Sequence, residues 1–187
     1  MINTETRQKN FDSDKKRVDK FEPEIKRLCG EIFIQTAPER IDCEEATDLL
    51  VLDIKPIKIA CRIRTHEYWK RYPYEFTIRS SRPSNVDTEL QKILCGAWCE
   101  YNFYGFADQK DEKLLAWFIG DLKVFRREWN KALWVKANKL NMPTIKWKER
   151  SNHDKSSKFF VFDIRLFPEE FIYFENDNYF KKRKEAP

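Results

Sequence analysis

Asp48 follows Thr47 at the start of an apolar run, and five residues on stands a literal acid-x-Lys, Asp53-Ile54-Lys55. Carboxylates beside a lysine are residue types that metal-assisted phosphodiester chemistry could use. The oxygens hold Mg²⁺ against the scissile phosphate, and a cation steadies the developing charge. Residues 46 to 64 read as two strands, 48–54 and 57–64, that pair antiparallel through the turn "DIKP", whose Asp and Pro suit a turn. In the second strand Lys58, Ala60, Arg62 and Arg64 alternate with Ile57, Ile59, Cys61 and Ile63, so one face is expected in the core and the other carries positive charge. In the next strand, "EFTIRSS", Glu75, Thr77 and Arg79 stand opposite Phe76 and Ile78. If these two strands pair, Arg62, Arg64 and Arg79 share a sheet face, as a phosphate-binding patch or as an ordinary solvated one. Lys70 and Arg71 sit in a loop, "HEYWKRYPYEF", whose aromatics suit either base stacking or the closing of a core. His66 in the same loop is expected at the surface.

The elements that would position these residues follow from periodicity. Residues 1 to 22 are charge-rich without a firm period and are expected as a mobile arm. Pro23 suits the first position of a helix, and Ile25, Leu28, Ile32 and Phe33 continue at helical spacing to about Gln35. Thr88 and Gln91 have capping-box spacing ahead of Leu90, Ile93, Leu94, Ala97 and Trp98, which predicts a second helix packed on the sheet. "YNFYGFA" and "LLAWFIG" read as strands around the turn "DQKDEK". Asp121 is expected to cap a helix to about Asn138 with Leu122, Phe125, Trp129 and Leu133 inward. "TIKWKER" and "KFFVFDIRLF" read as final strands, the latter with Phe160, Phe162, Ile164 and Leu166 on one side, and "KKRKEAP" as a solvated tail.

Composition narrows the function classes. With 187 residues, 15 Phe, 7 Tyr, 6 Trp and only 4 Gly, the chain suits a packed globular core and offers few glycines for nucleotide-cradling turns. No Gly-rich phosphate loop, G-x-S-x-G or H-E-x-x-H motif is present. A net charge of +5 is compatible with an anionic partner. The five cysteines lack C-x-x-C spacing and read as free thiols of a cytoplasmic protein. No apolar leader or long apolar run points to secretion or a membrane.

From about residue 23 to 106 the order helix, three strands, helix, strand, with "TD" at a strand start, resembles the αβββαβ core of the restriction-endonuclease-like PD-(D/E)XK nucleases. The expected fold is therefore α/β, with such a core at residues 23 to 120 and an added C-terminal helix and strands at 121 to 180. In that superfamily an Asp at the second strand's start binds Mg²⁺, and an acid-x-Lys on the following strand completes the site. The resemblance carries the first role to Asp48. It places the second at Ala60-Cys61-Arg62 and makes Asp53-Ile54-Lys55, at the far end of the hairpin, a decoy. Ala60 supplies no ligand, and Arg62 can steady charge but cannot act as a base. A migrated acid is then needed. Glu75 leads, as catalytic and metal residue beside Asp48, with Glu89, Glu39 and Asp42 as others and Gln91 as a polar helper. The resemblance implies a Mg²⁺-dependent DNA endonuclease or resolvase-like phosphodiesterase. The alternative is an inactive nuclease-like fold kept as a nucleic-acid- or protein-binding module. DNA is the expected partner, a membrane is not, and a homodimer is compatible with either reading.

Overall fold

A computed structural model describes residues 4–36, 49–51, 58–83, 87–96, 99–152 and 157–184. Asp48, Asp53, Lys55, Glu39 and Asp42 lie outside the described residues.

Helix α1, Thr4–Phe33, runs through the boundary expected at residue 23 and carries Pro23 in its interior. A missing N–H inside a helix costs about 3 kcal/mol. On either side of it Phe21 and Ile25 are buried, 2% and 5% exposed. Each such side chain contributes about 1.5–3 kcal/mol on leaving water, enough to carry the helix past the proline. The stripe Val18, Phe21, Ile25, Leu28 and Cys29 packs on Ile63, Phe103, Ala107 and Ile119.

The expected hairpin is corrected. Strand β1, Ile34–Thr36, pairs antiparallel with β2, Leu49–Val51. Strand β3, Ile59–Arg64, instead pairs parallel with β5, Tyr101–Ala107, in the register Ala60 to Asn102 and Arg62 to Tyr104. Between them, "HEYWKRYPY" is not all loop: α2 spans His66–Arg71. It is followed by β4, Glu75–Ser81, and then α3, Glu89–Leu94, whose predicted capping box of Thr88 and Gln91 is formed.

The second half follows its sequence pattern more closely. Strand β6, Leu114–Asp121, pairs antiparallel with β5. Helix α4, Leu122–Ala137, starts at Asp121, whose carboxylate accepts from the Lys123 and Val124 N–H groups, and ends at Asn138. Strand β7, Trp147–Ser151, and β8, Lys158–Asp163, are antiparallel neighbours, and β8 also pairs with β4. The alternation expected through Leu166 stops at Asp163, which caps a 3-10 turn over Ile164–Leu166; Ile164 stays buried and Leu166 emerges. Strand β9, Ile172–Glu175, adds to β6, and the basic tail enters a helix, α5, Asp177–Lys184, anchored by buried Tyr179.

The protein is thus mixed α/β, with a four-stranded sheet in the order β3-β5-β6-β9, a three-stranded sheet β4-β8-β7, and the β1-β2 pair. One face of the larger sheet receives α1. Its other face meets the smaller sheet and α4 in an aromatic core, where Phe76 touches Tyr104, Phe118, Phe125, Phe162 and Phe171. Among the described residues no helix is long and apolar enough to cross a membrane.

Candidate functional site

Arg62 and Arg64 lie on edge strand β3 and Arg79 on β4, an edge of the other sheet. The strands do not pair, yet their charged faces meet. The alternation of each strand therefore holds, but each face looks onto the other strand's. Arg62 Nη1 donates to the Thr77 carbonyl and hydroxyl, both at 3.1 Å, and Nη2 donates to the two Glu89 oxygens at 2.6 and 2.7 Å. Arg64 donates through Nε to the Tyr104 hydroxyl at 3.0 Å and through Nη2 to the Thr77 hydroxyl, with its guanidinium 4.6 Å from the Tyr68 ring centre. The Arg79 N–H donates to Glu89 at 3.1 Å, and its guanidinium stands 4.0 Å from the same carboxylate.

Thr77 is buried at 2% exposure, and Glu89 projects from the first turn of α3 into this seam. Burial pushes the Glu89 pKa up, but Arg62 first, then Arg79 and its N–H, and Arg64, outweigh it and leave the carboxyl below its usual range. The Arg62–Glu89 fork is a short, charge-assisted, two-bond pair and fixes how β3 sits against β4 and α3. At the seam's far end Glu75 accepts from Tyr68 at 3.5 Å and pairs with Arg150 at 3.3 Å.

The expected site residues therefore divide. Arg62, Arg64, Arg79 and Glu89 come together, but as an internal network rather than an open patch. Glu75 is two residues along β4 from Thr77 and engaged by Arg150. Gln91 accepts from the Thr88 N–H at 2.7 Å as the helix cap. Lys70 and Arg71 are exposed on α2, Lys70 paired with Glu67 at 3.4 Å. Asp48 lies outside the described residues.

The described acids do not fit Mg²⁺. Across the ladder from Ala60 stands Asn102, whose Oδ1 is buried with no partner among the described residues. It is a neutral oxygen, whereas Mg²⁺ is usually held through carboxylates. Glu89, the carboxylate in the seam beside Arg62, spends both oxygens on that arginine. Among the described residues no group of three or more His, Cys, Asp or Glu is placed to share a metal ion.

A second basic region was not singled out by motif. From residue 122 to 148 the chain carries eight lysines and arginines against one acid, Glu128, a local excess larger than the net +5 of the whole protein. Counting charge in windows would have found it. Helix α4 buries Leu122, Phe125, Trp129, Ala132 and Val135; Leu133, expected inward, is 42% exposed because Ala132 takes the inward position one residue earlier. At 3.6 residues per turn Lys123, Arg127, Asn130, Lys131 and Trp134 fall on the opposite side, in a strip about 100° wide. Glu128, the helix's one acid, is buried beneath it, accepting from Arg127 at 2.8 Å and standing 3.9 Å from the Lys131 ammonium. Arg127 also reaches Glu170 at 2.7 Å. Trp134 stands in the strip at 56% exposure, the most open large apolar side chain among the described residues.

Beyond the helix, the Leu140 N–H donates to the Val135 carbonyl and the Lys139 N–H to that of Lys136, the paired bonds of a Schellman ending. The residue that closes it in the left-handed region is Lys139, φ 54°. Lys136 and Lys146 then face an open cleft of about 360 Å³ between α4 and the segment entering β7. Comparison with family models, with curated proteins and with solved structures finds no match for this chain.

Proposed function

We propose that the protein is a nucleic-acid-binding module, with DNA as its partner, built on a mixed α/β frame that does not use the Ala60–Arg62 centre to cut. The observation that carries this reading is the separation of the two basic regions. The arginines of the nuclease-like centre are bonded inward to Glu89, Thr77 and Tyr104, while residues 122 to 148 carry an excess of lysine and arginine, of which Lys123 and Lys131 stand exposed on the outer side of α4. Phosphate backbones are recognised by such lysine- and arginine-rich faces, and the binding is independent of sequence.

Hydrolysis through Mg²⁺ receives no support from the described acids, because Glu75 and Glu89 are held by arginines and Ala60 brings no oxygen. The test is direct. The full chain is expected to retard labelled DNA at low salt and release it as salt rises, with no Mg²⁺-dependent cleavage of linear, nicked, single-stranded or branched substrates. Cleavage abolished by Asp48→Asn would overturn the non-hydrolytic reading. Absence of binding at low salt would overturn the nucleic-acid reading.

A further inference from the structure

The geometry points to a more specific ligand for the α4 face: an unpaired nucleic-acid strand, one base stacked on Trp134 and phosphates along the strand held by Lys123, Lys131 and Lys139. This rests on the nucleic-acid reading above and deepens it.

An exposed indole recognises the flat face of a base rather than its edge. A duplex presents base edges in its grooves and hides the faces of its bases in the stack. An aromatic ring gains by lying on such a face, so a tryptophan open to solvent among lysines suits a strand whose bases are free. Trp134 has that setting. It is half-exposed on a strip whose other members are Lys123, Arg127, Asn130 and Lys131, and the one acid of the helix is buried below. The 16-residue helix is about 24 Å long, enough for several nucleotides along the strip.

The helix ending supplies an independent observation. The left-handed closing position of a Schellman motif is usually glycine, since a side chain there is strained. Here it is Lys139, exposed, at φ 54°. The strain sets a lysine five residues past Trp134, just beyond the C-terminal end of the helix that carries the strip. Lysines also offset the partial negative charge of a helix C-terminus, but Lys136 in the last turn already does this without strain. Acidic membranes also attract lysine and tryptophan. Against that partner, the strip is mostly polar, interrupted by Asn130 and by the Arg127–Glu170 pair, and offers no continuous apolar face to lipid.

The experiment is fluorescence anisotropy on the full chain with three probes: a thymine oligonucleotide of about a dozen residues, the same strand in duplex form, and vesicles of phosphatidylserine and phosphatidylcholine. The single strand is expected to bind tighter than the duplex. Trp134→Ala is expected to weaken single-strand binding by roughly five- to a hundredfold and leave the duplex nearly unchanged, and Trp134→Phe to recover most of the loss. Lys139→Gly is expected to keep or raise Tm while weakening the single strand, which separates a binding role from a structural one. Equal single-strand affinity for Trp134→Ala and wild type would overturn the stacking proposal, while lysine variants that still weaken DNA would leave the nucleic-acid reading standing. Vesicle binding that depends on Trp134, with no effect on the strand, would assign the face to a membrane. No binding of either nucleic acid at low salt would remove the reading on which the proposal rests.

Discussion

Two regions of this protein carry clustered positive charge, and they use it in opposite ways. Between the sheets, Arg62, Arg64 and Arg79 surround one carboxylate and a buried threonine, and their charge holds β3 against β4 and α3. On α4, Lys123, Lys131 and Trp134 stand in water over an apolar underside that needs none of them for packing. Charge that completes a fold is bonded inward. Charge available to a partner stands where its removal leaves the fold intact. Both places show in the sequence as clustered positive charge; the environment decides the role.

That contrast can be broken by mutation, and the largest effect belongs to the seam. Glu89→Ala leaves Arg62 without its two-bond partner in a half-buried site, and breaking such a pair costs about 3–5 kcal/mol. Thermal unfolding should report it as a Tm lower by roughly 10 °C for a domain of this size. A loss under about 1 kcal/mol would mean the seam is open enough for water to replace Glu89, and the inward assignment would fall.

The same carboxylate gives a pH dependence. Its folded pKa lies below the ordinary 4.5, so its contribution to stability is fully present above that value and is lost as pH falls through it toward the folded pKa. Acid titration of unfolding should therefore show a loss beginning near the ordinary glutamate range that is reduced in Glu89→Gln. An identical acid profile in wild type and Glu89→Gln would assign the loss to other carboxylates.

A smaller change is expected at Asp121, which accepts from two N–H groups at the start of α4. Asp121→Ala should cost about 1 kcal/mol in denaturant unfolding. It sharpens the comparison because it loosens the helix that presents the strip without touching the strip's charge. Smallest of all in stability terms are Lys123→Ala and Lys131→Ala, expected within about 0.5 kcal/mol of wild type.

How far these roles were legible differs along the chain. The capping box of Thr88 and Gln91, the strands around Tyr104 and Phe118, and the helix from Asp121 to Asn138 all rest on signals within a few residues, and each is where the sequence places it. The β2–β3 pairing was not legible, because alternation tells which face of a strand is apolar and says nothing of its partner: β3 runs parallel to β5, about forty residues away, and β2 takes β1. The same limit hid the seam. Arg62 and Arg64 are rightly on the charged face, but what that face meets is Thr77 and Glu89, contributed by β4 and α3. Pro23 misled as a helix start because tertiary burial of Phe21 and Ile25 outweighs its local cost. The aromatic-rich "HEYWKRYPY" hid α2, whose Trp69 turns inward onto Phe106 and Tyr179. For the candidate site, motif-like residues mark Asp48 and Ala60–Arg62, while the α4 strip has no motif and shows only as a local imbalance of charge.

The most direct measurement is the salt dependence of single-strand binding in three proteins of equal foldedness by circular dichroism: wild type, the double variant Lys123→Ala/Lys131→Ala, and Arg79→Gln. Each strand phosphate that a lysine no longer neutralises should lower the slope of log affinity against log salt by about 0.7. The account predicts a slope shallower by roughly 1.4 in the double lysine variant, twice that single-phosphate value, and unchanged in Arg79→Gln. A slope that falls for Arg79→Gln and holds for the lysine variant would contradict it and return the nucleic acid to the seam between the sheets.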